Sequence, residues 1–268
     1  MSMVLELDQF NGPSYGHFFT VPQDKHDKEI LLAVDRKTRA DVEARYNFLT
    51  DYDWHMNTIA NATFEMILTT LSFMIKSHDG RTQGMGVNFF DLFVVTVSVK
   101  RNEKAEKEGN INVYFEPGPK MMELVKNGPR EPFHGTPYSP LQEFSSDDPE
   151  QENFYKNLDH HTRYNLSINH GLTIKDSMAY AVFGITYIFF ENLVTEMLYR
   201  LSSSNEDVSD EGDQQMVSVN FNDNLEIHAV LKDGQVAILM RPGLNSKLLI
   251  KNDRMTESTM GDLEDNHD

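Results

Sequence analysis

Three histidines, His160, His161 and His170, lie within eleven residues of each other, with Asp159 and Asp176 nearby. Imidazole and carboxylate groups ligate zinc, iron or manganese, so this is the local set from which a metal site could be built. No His-x-x-x-His pair places two ligands on one helical face, and adjacent histidines on an extended chain point apart. The expected reading is surface histidines with no metal and no cofactor.

Arg45-Tyr46-Asn47 returns as Arg163-Tyr164-Asn165. Arginine can hold a carboxylate or phosphate through two hydrogen bonds, and tyrosine can stack while its hydroxyl stays bonded. Because the tripeptide occurs twice, a structural task is favoured over ligand contact: the arginine pairing with an acid across the contact between halves, the tyrosine packing under a helix.

Other chemistry finds no support in local motifs. The chain has no cysteine, which removes disulfides, thiolate metal sites and a cysteine nucleophile. Gly80-Arg81-Thr82-Gln83-Gly84-Met85-Gly86 lacks the lysine and spacing of a phosphate-binding loop and reads as a flexible connector. No Gly-x-Ser-x-Gly elbow occurs, and the carboxylates concentrate in acidic stretches. Catalysis is not expected, although a constellation assembled from distant residues is invisible at this level.

Four blocks occur twice in the same order. Asn11-Gly12-Pro13, Arg45-Tyr46-Asn47, Val87-Asn88-Phe89-Phe90-Asp91 and Pro117-Gly118 recur as Asn127-Gly128-Pro129, Arg163-Tyr164-Asn165, Val219-Asn220-Phe221-Asn222-Asp223 and Pro242-Gly243, at offsets of 116, 118, 132 and 125 residues. A tandem duplication explains four blocks in register better than chance does. The expected fold class is α+β, each copy a long helix followed by an antiparallel β-meander, with pseudo-two-fold symmetry. The domains are expected at 1–120 and 121–252, with an acidic disordered tail over 253–268.

The helices that must position these residues follow from apolar spacing. Ile59, Thr63, Ile67, Leu71 and Met74, flanked by Phe64, Leu68 and Ile75, predict a core helix from Trp54 to Lys76. In the second copy, Thr173-Ile174-Lys175-Asp176 has capping-box spacing, and the helix should run from there to about Leu201. Its run from Ser177 to Phe190 is 14 residues long, shorter than an ordinary membrane span, and Ala181, Phe183, Ile185, Ile188 and Phe189 should be buried.

Strand signals follow each helix. Leu92 to Val99 and Ile111 to Phe115 flank a polar tip, Arg101 to Gly109, in the first copy. Val217 to Phe221, Leu225 to Leu231 and Val236 to Met240 form a meander in the second, turned at Asp233-Gly234. Lys247 to Lys251 is the last strand-like segment. The stretches 11–22 and 127–140 read as irregular arms.

The formal charge of −18 is localised: 143–152, 206–213 and 253–268 carry −15 of it. Such segments read first as solvated loops and a tail. With no basic region leading into an apolar run at the N-terminus, a secretory signal is not expected; the expected location is cytoplasm or virion, without membrane contact.

The function expected from this pattern is a non-catalytic structural or assembly protein acting through protein partners or self-assembly, as in a viral or phage particle. Contact is expected at the tip through Arg101, Lys104 and Lys107, at the acidic loop through Glu206, Asp207 and Asp210, or along the arms. One alternative is an acidic adaptor, chaperone or inhibitor of a basic or nucleic-acid-binding protein. Others are a replication accessory protein and a small-molecule enzyme with a site between the copies. Direct nucleic-acid contact is disfavoured because the two apolar helices carry few basic residues.

Overall fold

The computed structural model describes residues 22–46, 53–77, 84–100, 110–127, 149–174, 181–203 and 215–252. The elements run α1 (Lys25–Tyr46), α2 (His55–Ser77), β1 (Gly84–Phe89), β2 (Phe93–Lys100), β3 (Asn110–Pro117), α3 (Pro119–Asn127), α4 (Pro149–His170), α5 (Ala181–Ser203), β4 (Gln215–Phe221), β5 (Leu225–Lys232), β6 (Gln235–Pro242) and α6 (Leu244–Asn252). Two successive units therefore share the order helix, helix, three strands, helix. The chain is α+β, with two three-stranded antiparallel sheets ordered β1-β2-β3 and β4-β5-β6.

Alternating side chains put Val87, Phe89, Phe93, Val95, Val97, Val113 and Phe115 on the buried face of the first sheet. Val217, Val219, Phe221, Ile227, Ala229, Ile238 and Met240 do so in the second. The helices cover these faces, and β3 lies beside β6 without forming a ladder. The packing crosses between units: α1 lies on α5, α4 on α2, α6 on α2 and β3, and α3 on α5 and β6. Buried apolar residues from both units form one cluster. At its centre Phe64 of α2 meets Phe93 and Phe115 from the first sheet, Phe190 of α5 and Phe221 of β4, with ring centroids 5.4 to 6.1 Å apart.

Helix α5 is buried almost all round, including Ala181, Phe183, Ile185, Ile188 and Phe189. The expectation that its apolar run is too short to span a membrane fails on length, since the helix extends through Ser203 and satisfies both length and hydropathy for a span. Its apolar surface is instead taken up by the protein, 89% of the apolar window being enclosed.

Several sequence expectations are corrected. Each apolar helix is preceded by a further helix, α1 or α4, that apolar spacing does not reveal, because polar residues interrupt the buried stripe: Asp35, Thr38 and Asp41 in α1, Asp159 and Thr162 in α4. Thr173 and Ile174 lie in irregular chain, residues 175–180 fall outside the described ones, and the described part of the helix begins at Ala181. Gly84, Met85 and Gly86 are not connector but the first residues of β1, paired with Ser98, Val97 and Thr96. Residues 247–251 belong to α6, not a strand; a short apolar run does not by itself separate the two. The arms at 11–21 and 128–140, the tip at 101–109, the acidic stretch at 206–213 and the tail at 253–268 fall outside the described residues.

Candidate functional site at the seam between the units

The repeated Val-Asn-Phe-x-Asp and Pro-Gly blocks assemble one structural device in each unit. Phe90 and Asp91, and likewise Asn222 and Asp223, take positive φ of 50 to 59°, closing primed turns at the ends of β1 and β4. In each, an asparagine side chain three residues upstream clamps the aspartate: the Asn88 amide donates to Asp91 Oδ1 and the Asn220 amide to Asp223 Oδ1, both at 2.6 Å. The glycine after the proline then docks on this turn. Gly118 N–H donates to the Leu92 carbonyl at 2.8 Å and Gly243 N–H to that of Asn224 at 3.0 Å. A Cβ on either glycine would collide with the carbonyl of Asp91 or Asp223, so close approach explains both glycines. Lys120 and Asn245 N–H donate to those same carbonyls at 2.9 and 2.7 Å, anchoring α3 and α6.

A second shared device joins the helices. Asp35 of α1 accepts from the N–H groups of Trp54 and Asn57, both at 2.8 Å, capping α2. Asp159 holds the same place in α4, facing the Val182 N–H at the start of α5, which lowers its carboxyl pKa, though its Oδ1 makes no hydrogen bond. Burial pushes both carboxyls up; the N–H donors oppose this, as do Arg39 for Asp35 and Arg163 for Asp159. The shared pattern is Asp-x-x-Thr-Arg, Asp35 to Arg39 and Asp159 to Arg163, with Thr38 and Thr162 fully buried.

Arg163 therefore has Arg39 as its positional counterpart, each four residues after the capping aspartate. The expected pairing of Arg45 with Arg163 is out of step by six residues, because the matching tripeptides occupy different turns of their helices. Arg163 bonds Asp159 within its own helix at 2.6 Å. Tyr164 is 63% exposed instead of packed under a helix, and Asn165 is half-buried. Arg45 and Tyr46 end α1, and Asn47 lies outside the described residues. His160 and His161 are neighbours on α4 with near-perpendicular rings 5.8 Å apart. His170 ends that helix nine residues beyond His161, about 13 Å along the axis, so the three do not converge on one ion. Arg101, Lys104, Lys107, Glu206, Asp207 and Asp210 all lie outside the described residues.

Across the units, the turn of one hairpin meets the central helix of the other, and here the two halves differ. At the first turn, Phe90 packs edge-on against Tyr187 at 5.9 Å and lies 6.5 Å from Phe183, while Tyr155 meets Phe183 at 5.7 Å. Leu92 and Met121 beside them are fully buried. Counted along matching elements, Tyr155 answers to the buried Leu31, but five others have polar counterparts: Asn222 for Phe90, Asn224 for Leu92, Ser246 for Met121, Asn57 for Phe183 and Asn61 for Tyr187.

These polar groups form a network. The Asn222 amide donates to Asn57 at 2.8 Å and Asn61 at 3.2 Å. The Asn224 amide donates to Asn61 at 2.7 Å and Glu65 at 3.0 Å, and Asn245 reaches Glu65 and Asn224 at 3.0 and 3.1 Å. Asn57 Nδ2 and Asn222 Oδ1 are buried without a hydrogen-bond partner. Asn57, Asn61 and Glu65 stand one turn apart on one face of α2.

No protein-family model, curated protein or solved structure matches the chain. The site must therefore be read from its own chemistry.

A second polar set lies on the outer face of β4 and β5. Ser218 Oγ and His228 Nδ1 share a hydrogen bond of 2.7 Å, and His228 Nε2 stands 3.9 Å from Glu226 Oε2. That last distance exceeds hydrogen-bond reach, so the carboxylate does not fix the imidazole as an acyl-transfer triad requires. The pair is a cross-strand contact between residues directly opposed in register. Among the described residues no cluster of three metal-ligating His, Asp or Glu side chains occurs. Sequence reasoning missed the asparagine seam because its members are spread from residue 57 to residue 246. The one available signal was the replacement of Phe90 by Asn222 inside an otherwise repeated block.

Proposed function

We propose that the chain is a tandem duplicate of one helix-helix-meander-helix unit, and that it works by binding other proteins or further copies of itself rather than by turnover. The paired primed turns, docking glycines and capping aspartates support the duplication. Those shared features serve the fold itself, which favours a scaffold over a catalyst.

One observation carries the binding reading. The second unit bears exposed apolar pairs one helical turn apart: Tyr164 and Ile168 on α4, 63 and 61% exposed, and Leu244 and Leu248 on α6. Their positional counterparts in the first unit are Ala40 and Ala44 on α1, and Pro119 and Glu123 on α3. A single exposed leucine means little, but large apolar residues placed on one unit where the other carries small or polar ones favour a contact surface. The tip carrying Arg101, Lys104 and Lys107 and the segment carrying Glu206, Asp207 and Asp210 would add charged contacts at the rim. A multi-subunit particle, viral or phage, is the proposed setting.

Light scattering on the purified protein, with mass spectrometry of proteins co-purified from its native source, tests this. A defined oligomer or a stoichiometric partner is expected, lost in Tyr164→Ser/Ile168→Ser at unchanged melting temperature. A monomer with no stoichiometric partner, or an assembly indifferent to the double substitution, would count against it.

A further inference from the structure

We propose that α6 and the turn at 222–224 form a latch on α2 that opens ahead of global unfolding, while the corresponding piece, α3 with the turn at 90–92, stays closed on α5. Stability is distributed unevenly in folded proteins, and segments holding few apolar contacts open first. The first latch seats Phe90 against Phe183 and Tyr187 and fully buries Leu92 and Met121, so opening it returns aromatic and aliphatic surface to water. Opening the second exposes one buried apolar side chain of α6, Ile250, but otherwise Asn222, Asn224 and Ser246 and the Asn57, Asn61 and Glu65 groups they face, where water replaces each hydrogen bond at small net loss. Asn57 Nδ2 and Asn222 Oδ1, unpartnered when the latch is shut, gain partners when it opens.

The latch is built to move as one piece. Gly243 N–H and Ser246 Oγ both donate to the Asn224 carbonyl, and Asn245 N–H donates to that of Asp223, so α6 carries the turn with it. What opening uncovers is a row of two amides and a carboxylate along one face of α2, whose oxygens accept hydrogen bonds from Asn222, Asn224 and Asn245 in the closed form.

The molecule supplies its own control, because matching amides make the same bonds in both latches: Gly243 and Gly118, Asn245 and Lys120, Asn224 and Leu92. Native-state hydrogen exchange on the intact protein, corrected for intrinsic rates, should show protection at least about tenfold lower at Gly243, Asn245 and Asn224 than at their counterparts, with little dependence on low denaturant. A smaller difference, or the reverse order, overturns the proposal. In Asn57→Phe/Asn61→Tyr/Asn222→Phe, which installs the aromatic set of the other seam, exchange at the three amides should slow. A folded triple variant with unchanged exchange would refute the polar seam as the cause, and if that variant does not fold the wild-type comparison decides alone.

Discussion

Tyr187 and Asn61 occupy the same position on the two central helices, and they face the other unit's turn in opposite ways. Tyr187 packs edge-on against Phe90 with ring centroids 5.9 Å apart, whereas Asn61 accepts hydrogen bonds from Asn222 and Asn224 at 3.2 and 2.7 Å. One backbone arrangement is thus closed by aromatic packing on one side and by amides on the other.

The two seams should respond unequally to truncation. Phe183 is fully buried in the aromatic seam, and Phe183→Ala should cost about 3–5 kcal/mol by urea denaturation. Its counterpart Asn57 accepts one bond from an Asn222 amide that also reaches Asn61, so Asn57→Ala should cost about 1 kcal/mol. Equal losses at the two positions would show that the seams are energetically alike.

Gly118→Ala and Gly243→Ala should each destabilise the protein by about 1–3 kcal/mol, because the new methyl must displace the carbonyl of Asp91 or Asp223 on which α3 or α6 is anchored. Alanine at Gly234, whose added Cβ meets nothing within 4 Å, is strained only by its φ of 72°. Little change in either docking glycine would disprove the close-approach account.

Glu196 and Asp159 should give stability differences of opposite slope in acid. Burial raises the Glu196 carboxyl, but Lys37 and Arg200 outweigh it and hold the group below its usual 4.5. Its stabilisation is present above 4.5 and disappears as pH falls through the folded value. Glu196→Gln should therefore cost about 1.5–3 kcal/mol at neutral pH, and progressively less in acid. Asp159 is held above 3.8, chiefly by burial against the pull of Arg163. Its ionisation opposes folding, so the wild type should gain on Asp159→Asn as pH falls through the raised folded value, levelling off below 3.8. Parallel slopes, from denaturation midpoints between pH 3 and 7, would contradict these assignments.

The sequence by itself determined the local devices. Periodicity marked α2 and most of α5, because a helix enclosed by the core must be apolar on the faces it buries. Alternation and Asp233-Gly234 gave the β5 and β6 hairpin, and the paired Pro-Gly blocks marked where β3 and β6 stop, since turn conformations restrict residue types. Helices α1 and α4 were not legible, because buried polar residues such as Asp35, Thr38, Asp41 and Thr162 interrupt the apolar spacing of their inner faces. The alignment of Arg45 with Arg163 was decided against by tertiary structure, which sets Asp35 and Asp159 at the same place in α1 and α4, each beside the first N–H groups of the next helix. The exchange of helices between units, and the asparagine seam it creates, also belong to tertiary structure alone: hydrogen bonds between residues more than 150 positions apart leave no periodic trace in the chain.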